Sequence, residues 1–261
     1  MEGVVDHTMR TMLTKVGGID RCVTEFVRVT TTRLPSRVFY RYCPELHNRG
    51  MTPSGVPVYI QLLGGNAESM AINAAKAASL GAPGIDINFG CPAKSVNRND
   101  GGSVLLKEPQ RLHDIVAAVR DAVPLDIPVT AKIRLGFNDS SLLTDISQAI
   151  FSANASELTI HARTKSDGYK PPAYWEAIAD IQANSPVPVI ANGEIWTVND
   201  YHSCIKQSGC DDVMLGRGLL ACPDLAVQIR AGRSMTGSQQ DIPALSWPQV
   251  LDLVAQFCIV T

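Results

Sequence analysis

The feature that most constrains this chain is a regular alternation of short β-rich runs with amphipathic stretches from one end to the other. Seven candidate strands stand out, at 22–29, 58–62, 84–88, 129–133, 157–161, 187–191 and 212–215. The clearest amphipathic stretch between them is 109–123, where Leu112, Ile115, Val116, Val119 and Val123 recur at steps of three and four behind an opening proline. Leu142, Leu143, Ile146, Ala149 and Ile150 repeat the pattern after an Asn-Asp-Ser-Ser start, and Trp175, Ile178 and Ile181 do so again before Pro186. Such helices must lay their apolar faces on a sheet.

Strand-then-helix alternation means parallel strands covered by helices, either an open doubly wound sheet or a closed (β/α)8 TIM barrel. Two observations favour the barrel. Polar residues follow almost every strand, as they do where eight loops build one site, whereas an open sheet concentrates them at a switch point. No G-x-G-x-x-G follows an early strand, so the dinucleotide fingerprint of the open fold is absent. Seven strands are one short of the barrel. A first strand ending just before Met1 would complete it, and 246–260 reads as a helix that begins and then stops. The expected organisation is a TIM-barrel catalytic domain over 1–240, lacking its first strand, followed at 241–261 by the start of a truncated helical domain.

Composition narrows the function classes. Lys and Arg number 23 against 25 Asp and Glu, a formal charge of −2, so no global basic field advertises nucleic-acid binding. An RNA partner would have to be held by a local patch. No signal peptide opens the chain and no apolar run reaches the length of a membrane span, which makes a cytoplasmic location the expectation. Seven cysteines without a C-x-x-C pair argue against a disulfide framework and against a zinc site, and no metal is expected.

In strand order, the tips present Gln61, Asn88 with Cys91, Lys132 with Arg134, His161 with Arg163, Asn192-Gly193-Glu194 and Gly216-Arg217-Gly218. In a barrel these converge on one cavity. The last two sets carry glycines that let backbone N–H groups approach an anion, and they follow what would be strands seven and eight, the usual phosphate site of the fold. Lys132 would place a positive charge near a cofactor ring. Flavin mononucleotide (FMN) fits such a set.

Each signal also has a plainer reading. A lysine at a strand end is commonly solvated or ion-paired, His161 alone fits a satisfied core position, and Asn-Gly favours turns for backbone reasons. Arg28 would merely pair with an acid on a neighbouring loop. Cys91 differs from the other cysteines, which suit small core positions, because it sits between Asn88-Phe89-Gly90 and Pro92 near Lys94 and Lys132. As a nucleophile it needs a base at hand; as a general acid it needs an ordinary thiol pKa. Composition does not choose between them.

The segments "NFGCPAKSVNRNDGGSVLLKEP", "AKIRLG", "TIHARTKSDGY", "PVIANGEI" and "VMLGRGLL" resemble the tRNA-dihydrouridine synthases, FMN enzymes with a (β/α)8 barrel. The resemblance runs from Met1 to about Pro223. "MEGVVD", "TEFVRV" and "TPSGVPVYIQLLG" look most like the C-type bacterial subfamily, which modifies uridine 16 in the tRNA D-loop. It implies that Cys91 is the general acid that protonates C5 of the uracil while reduced flavin delivers hydride to C6. By the same resemblance Gln61, Lys132 and His161 contact the isoalloxazine, Asn192, Gly193, Glu194, Gly216 and Arg217 the phosphate and ribityl chain, and Met1, Glu2 and Gly3 lie against the ring. Asn88, Lys94, Arg134 and Arg163 would hold the target nucleotide, Arg28 would touch tRNA, and NADPH would reduce the flavin. A monomer is expected. Two alternatives stand beside this: an FMN barrel acting on a free pyrimidine or enone, and a non-catalytic RNA-binding fragment. Extruding a D-loop uridine into a pocket is the step the chemistry requires.

Overall fold

The computed structural model describes residues 3–234, together with 245–246, 248–249, 252 and 255. Its centre is a parallel sheet of eight strands: β1 (Cys22–Val23), β2 (Val27–Arg28), β3 (Val58–Leu63), β4 (Ile85–Asn88), β5 (Val129–Arg134), β6 (Glu157–His161), β7 (Val189–Asn192) and β8 (Asp212–Met214). The expected first run is broken in two, and both pieces pair with β3. From β3 the order follows the chain to β8. Among the described residues no pairing joins β8 back to β1, so the curled sheet is open on that side. The helices are α1 (His7–Val16), α2 (Ser36–Tyr42), α3 (Ala67–Ser79), α4 (Lys94–Asn97), α5 (Pro109–Ala122), α6 (Leu143–Ser152), α7 (Ala179–Ala183), α8 (Val198–Ser208), α9 (Arg217–Ala221) and α10 (Leu225–Ser234). The stretch beginning at Trp175 opens as a 3-10 turn before continuing into α7. Most of the helix expected at 246–260 lies outside the described residues; Pro248, Gln249, Asp252 and Ala255 within it are helical.

Each strand separates its residues by the two-residue period of the pleat. Val58, Ile60 and Leu62, Ile85 and Ile87, Val129, Ala131 and Ile133, and Leu158 and Ile160 are wholly buried in the apolar layer beneath the helices, where Leu112, Ile115, Val116 and Val119 of α5 meet them. The alternate residues are mostly polar, with Leu63 and Ile190 as apolar exceptions. Strand register stacks them in rows: Gln61, Asp86, Thr130 and Glu157; then Asn88, Lys132 and Thr159; then Arg134, His161 and Asn192 nearest the C-terminal ends. Bonds between strands that are not neighbours show that these rows face the interior. Arg21, just before β1, pairs with Glu157 at the start of β6.

On the open side, helices make the closure. Gly18, at φ +76°, lies against the α10 backbone, where a Cβ would stand 2.5 Å from the Val227 nitrogen. Arg230 of α10 donates to the Gly18 carbonyl at 3.2 Å and pairs with Asp20. A buried bidentate pair, Arg10 to Glu45 at 2.7 and 2.8 Å, ties α1 to the 3-10 turn Pro44–Asn48.

Candidate active site

The inward rows grade from a sealed polar base to an open mouth. At the base the buried Asp86 accepts hydrogen bonds from Thr130 Oγ1 and Gln61 Nε2, each at 2.7 Å. Gln61 turns Oε1 to the Asn88 side-chain N–H at 2.7 Å, and its backbone N–H reaches Thr24 Oγ1 at 3.0 Å. The Gln61 amide therefore has one orientation, since flipping it would break two bonds. Burial pushes the Asp86 carboxyl above its ordinary value, against the pull of Thr130, Gln61 and Lys132.

Above this base Lys132 Nζ donates to Asn192 Oδ1 at 2.7 Å, and Asn192 Nδ2 donates to the Met214 carbonyl at 2.8 Å. Burial, and then the Arg134 charge, draw Lys132 down to about 8, with Asp86 opposing. His161 is drawn down to about 2, by burial first and then by Lys132, Arg134, Arg163 and Arg217. At neutral pH the mouth thus holds a cationic field around an uncharged imidazole, an environment that favours an electron-rich ring or an anion.

Cys91 follows β4 and is half-buried. Its carbonyl oxygen accepts from the Ser103 N–H at 3.0 Å, Ser103 Oγ at 2.9 Å and Asn97 Nδ2 at 3.0 Å. On its other flank Arg134 Nε donates to the Gly90 carbonyl at 2.8 Å, and the Gly90 N–H donates to Asn88 Oδ1 at 2.9 Å. Both sides of the cysteine are fixed. Gly102, at φ +66°, lies so close that a Cβ would stand 2.7 Å from the Cys91 oxygen.

The two glycine-bearing loops close the other side. Gly193 has φ +116°, and a Cβ there would meet His161 Cδ2 at 2.9 Å; its carbonyl accepts from Trp175 Nε1 at 2.8 Å. Glu194 takes Arg163 and the Trp196 Nε1–H, the latter at 3.0 Å, with Arg217 3.7 Å away. Burial works to raise this carboxyl, but the bonds from Arg163 and Trp196 hold it below its ordinary value. Arg217 lies over the rings of Trp196, at 5.0 Å, and Tyr169, at 5.5 Å. Tyr169, 57 % exposed, also covers Arg134 at 5.0 Å and approaches the His161 ring at 6.0 Å.

Gln61, Asn88, Lys132, Arg134, His161 and Asn192 therefore meet as the strand order implied. Gly3 bonds through its N–H to Glu25, beside the break between β1 and β2; Met1 and Glu2 lie outside the described residues. Lys94 is exposed on the first residue of α4, and Gly216 precedes α9. Arg28 ends β2 half-exposed and forms no ion pair among the described residues. Arg163 has no solvent exposure. It donates through Nε to the Lys170 and Pro172 carbonyls at 2.7 and 3.1 Å and through Nη2 to Glu194, which is the position of a brace behind the mouth. Arg134, 2 % exposed, likewise serves the carbonyls of Gly90, Thr164 and Gly168.

Sequence reading overlooked Asp86 and Thr130, although each stands two residues before a singled-out position and so shares its face. Asn97, Ser103, Tyr169, Trp175 and Trp196 lie in loops or a single helical turn, where no periodicity announces them.

An oriented amide, an ammonium and a neutral imidazole are groups that suit the polar edge of a flavin ring, and the Gly193 backbone approaches the His161 ring so closely that a Cβ would stand 2.9 Å from it. With a parallel barrel sheet beneath them, these residues place the chain in the class of flavin-dependent barrel oxidoreductases. Solved structures agree on the fold: histamine dehydrogenase from Rhizobium sp. 4-9 superposes with a TM-score of 0.64 at 16% identity, covering 89% of this chain and 44% of that one. An old yellow enzyme homologue from Zymomonas mobilis gives 0.59 at 11% identity, covering 97% and 86%. A family model described as dihydrouridine synthase matches residues 1–250. The tRNA-dihydrouridine(16) synthase of Pseudomonas syringae pv. tomato is 51% identical over 100% of this chain and 82% of its own length, and that of Vibrio cholerae 48% identical over 98% and 77%. The chain belongs to the dihydrouridine synthase family.

Proposed function

We propose that this chain reduces a uridine of tRNA, at position 16 in the D-loop, to 5,6-dihydrouridine, with FMN as cofactor and NADPH as reductant. The observation that carries the reading is the tethering of Cys91 beside the cationic field that Lys132, Arg134, Arg163 and Arg217 make around His161. FMN, when reduced, supplies hydride for C6 of the uracil. Cys91 would deliver the proton to C5, so the π bond of C5=C6 is exchanged for two new C–H bonds and a C5–C6 single bond remains. Asn88, its amide oriented by Gln61 and by the Gly90 N–H, faces the polar edge of the base. Lys132, Gln61 and His161 would hold the flavin ring, and Asn192, Gly193, Glu194, Gly216 and Arg217 would hold its ribityl chain and phosphate. Arg134 and Arg163 act on the nucleotide through the loops they hold. Arg28 and Lys94 stand at the rim for RNA.

Supporting the assignment of position 16 are the relatives' names. Among the described residues no helix is long and apolar enough to cross a membrane. A cytoplasmic location and a monomeric state belong to the same proposal. So does the division into a catalytic part over 1–240 and a helical part from 241, a boundary that falls outside the described residues.

The test starts with an anaerobic absorbance spectrum of the purified chain before and after NADPH, followed by dihydrouridine mapping in an unmodified tRNA transcript. A flavin spectrum that bleaches, and dihydrouridine at position 16 that is lost in Cys91→Ala, supports the proposal. Reduction of free uracil in preference to tRNA would replace it with the small-molecule alternative. Binding of tRNA without flavin would leave only the non-catalytic one.

A further inference from the structure

The −2 net charge demanded a local patch for any RNA partner, and the structure contains one outside the mouth. Residues 28–49 carry five arginines, at 28, 33, 37, 41 and 49, against one acid, Glu45. That acid is buried and held by both forks of Arg10. Among the described residues none of the five arginines forms an ion pair, whereas Arg21, Arg111, Arg163, Arg217, Arg230 and Arg233 all do. We infer that Arg33, Arg37 and Arg41 form a docking stripe for the phosphate backbone of RNA flanking the nucleotide that enters the mouth.

The stripe is built into the fold. Arg28 ends β2 at the rim, and α2 then descends the outer wall with Phe39 wholly buried beneath it. Arg37 and Arg41 are four residues apart and so share one helix face, about 6 Å apart along the axis. Arg33, Arg37, Arg41 and Arg49 are all exposed. The buried Asn73 of α3 fixes the backbone on both sides of Arg33, accepting from the Leu34 N–H at 2.8 Å and donating to the Thr32 carbonyl at 3.1 Å. A like-charged row without counter-charges repels itself, and a polyanion relieves that repulsion. The row starts from Arg28 on the rim of the mouth, which makes RNA the fitting polyanion. A membrane is the poorer partner, because no large apolar side chain is exposed between residues 28 and 49 to enter a bilayer.

The inference rests on the tRNA reading of the mouth, and its test separates the two. Binding of an unmodified tRNA transcript is measured by fluorescence anisotropy across a range of NaCl concentrations, for the full chain and for Arg37→Ala/Arg41→Ala. The slope of log K against log salt should shrink by about 2, one for each lost phosphate contact, and return in Arg37→Lys/Arg41→Lys. KM for tRNA should rise roughly tenfold with kcat and flavin content unchanged. An unchanged slope and KM in the alanine variant overturns the inference, as does arginine-dependent binding to phosphatidylserine vesicles with tRNA binding unaltered. A slope that shrinks although no uridine is reduced leaves the stripe standing and removes the reaction assigned to the mouth.

Discussion

Lys132 of β5 and Asn192 of β7 meet across 2.7 Å, bridging two strands that do not touch in the sheet. The bond passes over β6 through the barrel interior and sets the level at which the ammonium stands. It also joins β5 to the loop that begins at Gly193.

Activity should therefore follow the charge of Lys132. Its depressed value, about 8, means that the ammonium deprotonates as pH rises through that region, and uridine reduction should decline there. Lys132→Arg keeps the charge and should move the decline to higher pH, which a pH–rate profile of the two proteins checks. An unshifted profile would assign the decline to another group.

His161 provides a stability test of opposite sense. Its folded value, about 2, lies below the ordinary 6.5, so between those limits the unfolded chain binds the extra proton. The stability this group contributes is complete above pH 6.5 and is lost as pH falls toward 2, at up to about 1.4 kcal/mol per pH unit. Urea midpoints between about pH 7.5 and about pH 5 should fall less steeply for His161→Asn than for the native chain.

Gly193→Ala should be far more damaging than Gly168→Ala. Both positions have positive φ, but at Gly168 a Cβ meets nothing within 4 Å, while at Gly193 it meets His161 at 2.9 Å. Expected costs are about 1 kcal/mol for Gly168→Ala and about 2–4 kcal/mol for Gly193→Ala. Only the Gly193 variant should also lose bound flavin, as read from the absorbance ratio of the purified proteins.

Ser103→Ala removes the hydroxyl, but not the backbone N–H, from the Cys91 carbonyl. The cysteine should remain present but less well aimed. Uridine reduction should fall about 10- to 100-fold while flavin reduction by NADPH is unchanged, a split visible in stopped-flow absorbance. Equal losses in both half-reactions would mean that Ser103 supports the whole site rather than the thiol.

Asp86→Asn tests the base of the cavity. The carboxylate accepts two bonds, whereas an amide would turn an N–H toward one of the two donors. A loss of about 1–3 kcal/mol is expected in urea unfolding, together with weaker flavin retention as Gln61 loses its fixed orientation.

The strands alternate with period two because one face of each has to be apolar to meet a helix, a pattern present in the sequence itself. It marks Ile85 and Ile87 as facing the helical layer and Asp86 and Asn88 as sharing the other face. Reading only the strand tips passed over Asp86 and Thr130, one row deeper. Loop residues such as Tyr169 have no such period, and their roles come from contacts with segments distant in sequence.

By itself, then, the chain determined the strand order, the inner and outer faces and the loops that gather at one end, since these follow from local periodicity and the handedness of parallel crossovers. Tertiary structure decided how each cation is used. Sequence puts Arg134 and Arg163 at strand tips but does not show that they are sealed against carbonyls and Glu194 while Arg37 and Arg41 face solvent without an acid. The physical reason is that neutralisation depends on which groups meet when the sheet curls, and Arg163 and Glu194, 31 residues apart in the chain, become partners only then.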